Sequence, residues 1–114
     1  MAAAVYNIVA GQGETFNLSF TVDNDGVPWN LNSYTAAMQV RPFAGSASLV
    51  LDLSTTNASI TLNSSGQVTA TATATVMAAV PAEKYVYDLE VTAPNGTVTR
   101  LLSGKFIVTP EVTI

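Results

Sequence analysis

The chain has 114 residues, with 4 Lys+Arg against 8 Asp+Glu for a formal net charge of −4, and it contains neither Cys nor His. Those two absences exclude a disulfide framework, a thiol nucleophile, a zinc site of the usual kind and histidine acid–base catalysis. Charged residues make up only 11% against 48% hydrophobic, where soluble domains carry roughly 25%, and four scattered cations do not form the clustered basic face that nucleic acid requires.

The first residues, Met1 to Gly13, have no basic segment, and Asn7 interrupts their apolar run. They do not read as a signal peptide, and no stretch approaches the ~20 apolar residues of a membrane-spanning helix. Gly11-Gln12-Gly13 lacks a P-loop Lys and a following helix, so it reads as a bend ahead of the strand opening at Thr15. Phe16, Leu18, Phe20 and Val22 then alternate with Asn17, Ser19 and Thr21, which is strand periodicity. Asp23-Asn24-Asp25-Gly26 supplies a tight turn, and Val27-Pro28-Trp29 begins a short return strand. In Tyr34–Arg41 the set Tyr34, Ala36, Met38 and Val40 opposes Thr35, Gln39 and Arg41. Pro42 and Ala44-Gly45-Ser46 end that strand and open a loop. Leu49, Leu51 and Leu53 form the next apolar row, and Ser54-Thr55-Thr56-Asn57 turns the chain. Ile60 and Leu62 follow, up to a turn at Ser64-Ser65-Gly66.

Gln67–Thr75 shows the strictest alternation. Val68, Ala70, Ala72 and Ala74 face one way and Thr69, Thr71, Thr73 and Thr75 the other; the β-branched Thr ladder decides for strand over helix. Val76–Val80 is the one expected helical turn, capped by Thr75 and stopped by Pro81. Lys84–Thr92 is expected as the longest strand, with Tyr85, Tyr87, Leu89 and Val91 inward and Asp88 and Glu90 outward. Pro94-Asn95-Gly96 makes a hairpin turn. Thr97–Leu102 returns, Ser103-Gly104 marks a bulge or bend, and Lys105–Thr109 finishes before Pro110. The sum is an all-β fold: one antiparallel, Ig-like β-sandwich of about eight or nine strands with at most one helical turn near 75–80, over a single domain 1–114. An N-terminal arm 1–10 and a C-terminal tail 110–114 are expected to reach neighbouring subunits, because apolar termini gain order on docking.

Asp88 and Glu90 project from one strand face, where a pairing with Arg100 accounts for them better than a glycosidase pair, which needs two carboxylates facing each other across a sugar. Asp23-Asn24-Asp25-Gly26 has the opening of a calcium loop without its later ligands or closing Glu. Trp29, Tyr34, Tyr85 and Tyr87 would form a sugar platform only as a flat exposed row, and three of them fall on apolar faces. The serines have no activating base. The sequons at Asn17, Asn57, Asn63 and Asn95 are incidental in so Asn/Ser/Thr-rich a chain. No catalytic, cofactor-binding or metal-binding residue is assigned, no cofactor is expected, and the chain reads as a non-enzyme. Its sheet rims, with only Arg41, Lys84, Arg100 and Lys105 as cations, lack the charges by which monomers guard their edges, which fits strands covered by other subunits.

Four stretches in order resemble a family of short structural proteins and domains encoded by tailed bacteriophages, especially aquatic ones. They are Gly13-Glu14-Thr15-Phe16-Asn17-Leu18; Asp25-Gly26-Val27-Pro28-Trp29-Asn30-Leu31-Asn32-Ser33-Tyr34-Thr35-Ala36; Val80-Pro81-Ala82-Glu83-Lys84-Tyr85-Val86-Tyr87-Asp88-Leu89; and Asn95 to Gly104 running into Val108–Thr113. The second is similar to a "D-G-x-P-x-D-L-T-G-Y-T-A" segment and the third to "L-P-A-G-K-Y-V-Y-D-L". Asn30, Asn32-Ser33 and Glu83 depart from those patterns, all in turns. The chain is also similar to the N-terminal domain of phage baseplate upper proteins. The resemblance implies a β-sandwich and a place in the virion, after synthesis in the host cytoplasm, and transfers no catalytic residue. With no appended fibre, the expected role is a capsid decoration or cement protein, contacting the major capsid protein as a homo-oligomer such as a trimer, with neither nucleic acid nor membrane as partner. A baseplate, neck or tail-fibre adaptor is the alternative, and a carbohydrate-binding or adhesive Ig-like module a weaker one.

Overall fold

The computed structural model describes residues 4–113; Met1, Ala2, Ala3 and Ile114, the outer ends of the expected arm and tail, lie outside the described residues. The chain forms β1 (Ala4–Val5), β2 (Ile8–Gly11), β3 (Phe16–Thr21), β4 (Asp23–Asn24), β5 (Val27–Pro28), β6 (Thr35–Arg41), β7 (Leu51–Ser54), β8 (Ile60–Leu62), β9 (Gln67–Ala72), α1 (Ala74–Ala78), β10 (Lys84–Thr92) and β11 (Val98–Thr109). One sheet runs β1-β11-β10-β6-β7, with β2 also on β11, and the facing sheet runs β3-β9-β8. That is the strand order of an Ig-like sandwich. β4 and β5 make a separate hairpin.

Two-residue periodicity builds the core. In β10 every second residue, Tyr85, Tyr87, Leu89 and Val91, is buried, and Ala36, Met38 and Val40 of the neighbouring β6 do the same. Val68, Ala70 and Ala72 of β9 close over them from the other sheet, the two alanines leaving room for larger side chains opposite. Phe106 is fully buried between Phe16 and Tyr87, with ring centroids at 5.5 and 6.2 Å and edge-on geometry. No polar or charged residue is buried among the described residues.

Tyr85 is the second residue of β10, and its hydroxyl donates to the Pro81 carbonyl at 2.6 Å, four residues upstream. This is the tyrosine corner of Ig-like domains, which ties the connection between the two sheets to the strand that follows.

Several local expectations are revised. The β9 strand ends at Ala72, Thr73 rather than Thr75 caps the helix by accepting from the Val76 N–H, and the helix is Ala74–Ala78 rather than Val76–Val80. Ala74 and Thr75, read as strand, are its first residues; the Thr73 hydroxyl at the N-cap outcompetes continuation of the ladder. Leu49 lies outside β7 and is exposed. The longest strand is β11, not β10: it runs unbroken through Ser103-Gly104, and the register shift falls at Leu101, between the pairs Leu89↔Leu102 and Glu90↔Arg100. At the β10–β11 hairpin the Gly96 N–H donates to Ala93 and only Gly96 takes positive φ, so Pro94 and Asn95 are the central turn residues. The Asp25-Gly26 turn has positive φ at both residues, the twist-matched hairpin type.

The N-terminal segment is the largest difference. Ala4–Val5 and Ile8–Gly11 do not form a free arm but pair in parallel with β11, Ala4 beside Leu102 and Ile8 beside Phe106. The sandwich is therefore antiparallel except along this edge. The gap between β1 and β2 is bridged: Tyr6 N–H donates to Ser103 and the Asn7 amide oxygen accepts from Lys105 N–H. Gly104 permits the approach, because a Cβ there would strike the Tyr6 carbonyl. At the other end Gln12 donates to Val80 and accepts from Glu111 N–H, tying down the start of the expected tail.

Candidate interaction surface

The residues singled out for chemistry do not converge. Asp88 and Glu90 are on the outer face of β10, and Asp88 pairs with Arg100 at 3.2 Å with both side chains about half exposed. Arg41, on the same face, is occupied in holding its own loop: its guanidinium donates to the Ser46 and Ser48 carbonyls and to Gln39. Asp23 and Asp25 sit exposed in the β4–β5 hairpin, and among the described residues no three His, Cys, Asp or Glu come together in a group able to hold a metal. Among the described residues no helix is long and apolar enough to cross a membrane.

The aromatic residues divide. Tyr85 and Tyr87 are core residues whose hydroxyls donate to the Pro81 and Tyr6 carbonyls. Burial pushes the Tyr87 phenol up to about 12, aided by the neighbouring Tyr6, and raises Tyr85 through burial first and the Glu83 carboxylate second. Trp29 and Tyr34 are half-buried with ring planes at 45° and centroids 6.5 Å apart, so the four rings form no flat row. Three of the four sequon asparagines serve turns, accepting from Ser54 and Ser59, from Ser65 and Gln67, and from Thr97 backbone amides. Asn17 is exposed on β3.

What the fold does concentrate is open sheet edge. β7 and β8 lie on one side of the sandwich, and the intervening turn closes that side: Ser59 N–H donates to Ser54, Thr55 N–H to Ala36, and the Asn57 side chain to Asp52. β7 carries the charge of Asp52 and β8 has three residues. On the opposite side, among the described residues, β3 pairs with β9 alone and β2 with β11 alone. Between them runs a groove of about 240 Å³ lined by residues 6–11 and 14–18. From Ala4 to Val22 the only charge is Glu14, in the turn joining the two strands. Exposed Val5, Tyr6 and Val9 flank the groove on the β1–β2 side. Composition alone indicated poorly guarded edges; which edges stay open depended on the N-terminal segment joining β11 rather than β3, a long-range parallel pairing with no local signal.

No protein-family model matches the chain, and no curated protein matches it.

Proposed function

We propose that this chain is a non-enzymatic structural protein of a bacteriophage virion, a capsid decoration or cement protein that acts through protein–protein contacts. The observation that carries the reading is the uncharged double edge formed by β2 and β3. Monomeric sheet proteins blunt such edges with Lys, Pro, bulges or covering loops, and this one does not. An assembly in which neighbours cover the edge avoids stripping water from ions, because almost none are there. The four-segment likeness to tailed-phage structural proteins supplies the setting. Each copy would be held by several shallow contacts whose effects multiply.

Quantitative mass spectrometry of purified particles from the phage encoding this chain tests the reading. Decoration requires hundreds of copies per virion; tens of copies would move the chain to a baseplate, neck or fibre-attachment adaptor, and its absence from particles would end the virion reading.

A further inference from the structure

We propose that the free edge of β3 is a self-association site, at which two copies of this chain join β3 to β3 in antiparallel register into one six-stranded sheet. This goes beyond the virion reading and stands without it.

The hydrogen-bond directions identify the edge. Thr71 N–H donates to Ser59 and Asn63 N–H to Gln67, so the odd-numbered residues of β9 bond toward β8. Alternation then aims Val68, Ala70 and Ala72 at β3, where they stand opposite Phe20, Leu18 and Phe16. The Val22 N–H donation to Gly66 continues the same series. The backbone groups of Asn17, Ser19 and Thr21 therefore point away from the sandwich, and among the described residues no backbone bond takes up their N–H groups. A row of outward N–H and C=O groups is satisfied most fully by another extended strand.

Three further observations commit the occupant to a second copy. The edge is self-complementary: β3 has no charge and no Pro, and a two-fold axis at Ser19 sets Asn17 opposite the partner's Thr21, neutral hydrogen-bonding side chains suited to cross-strand pairing. Leu18 and Phe20 face the core yet stay partly exposed, since among the described residues no strand pairs with the outer edge of β3, and a strand laid beside them would cover that remainder. The competing edges are worse placed, since β1 and β2 are broken at Tyr6–Asn7 into pieces of two and four residues while β3 runs six without a break.

Sedimentation velocity over a concentration series tests this with the full chain, Ser19→Pro and Ser19→Lys. Proline deletes an edge N–H that makes no bond among the described residues and is tolerated on an edge strand; lysine sets like charges against each other across the axis while leaving the backbone intact. The wild-type chain should form a reversible dimer. Ser19→Pro should weaken it by at least about tenfold, since one donor is lost from each copy, and Ser19→Lys should weaken it in a manner relieved by salt. Should Ser19→Pro fail to fold, the lysine variant decides alone. A chain monomeric at every concentration, or a dimer or trimer indifferent to the substitutions, overturns the proposal.

Discussion

Replacing Tyr87 by Phe removes one hydroxyl and tests how the N-terminal strands are held. That hydroxyl donates to the Tyr6 carbonyl across 81 residues of chain, and Tyr6 itself is bonded through its N–H to Ser103. The ring would keep its edge-on contact with Phe106, so the packing term is nearly unchanged. Loss of the hydrogen bond, with the Tyr6 carbonyl left short of a partner, should cost about 1–2 kcal/mol, or roughly 4–8 °C in Tm for a domain of this size. A second signature lies in the alkaline range. The phenol is pushed up to about 12 in the folded chain against about 10 when unfolded. The folded state thus holds the proton more tightly, and the stabilisation is complete below pH 10 and disappears as pH rises from 10 to 12. It amounts to at most about 3 kcal/mol. Urea unfolding followed by far-UV circular dichroism at pH 7, 10 and 11.5 would read both effects. Tyr87→Phe should be less stable than wild type at pH 7 and lose less on going to pH 11.5, with the raised Tyr85 contributing to the alkaline loss that remains. Equal stability at pH 7 with an unchanged alkaline profile would refute the role given to this hydroxyl.

Other substitutions separate core, backbone and surface. Phe106→Ala should cost about 3–5 kcal/mol, a large part of the ~6–17 kcal/mol expected for a domain of this length, seen as a lowered urea midpoint. Gly66→Ala and Gly96→Ala both place a side chain at positive φ, but a Cβ at 66 meets the Val22 carbonyl whereas one at 96 meets nothing; the first should cost at least about 2 kcal/mol and the second about 1 by thermal denaturation. Asp88→Asn breaks a half-exposed ion pair and should move stability by no more than about 0.5 kcal/mol in the same assay.

Much of the sandwich was legible in the chain because its strands have one wet face. Tyr85, Tyr87, Leu89 and Val91 alternate with Val86, Asp88 and Glu90, and the bounds Lys84–Thr92 follow directly. Boundaries failed where two local rules competed, as at Thr73, which satisfies both strand alternation and a helix N-cap. The bulge lies away from Ser103-Gly104 for a different reason. Ser103-Gly104 has bulge composition, but Gly104 is there to admit Tyr6, a contact made by a residue almost a hundred positions earlier. The open edge of β3 was illegible for the same cause: it depends on which sheet Ala4–Gly11 joins. The absence of charge along it could be seen in the sequence, while the exposure of Asn17, Ser19 and Thr21 backbone groups could not.

Hydrogen exchange at the Asn17, Ser19 and Thr21 amides tests the covered-edge account most directly, measured in dilute isolated chain and again in the concentrated, associated form. The account predicts that these three amides exchange freely when dilute and become protected on association, while the Leu18 and Phe20 amides, already bonded to β9, stay protected throughout. Equally rapid exchange of the three in both states would contradict it.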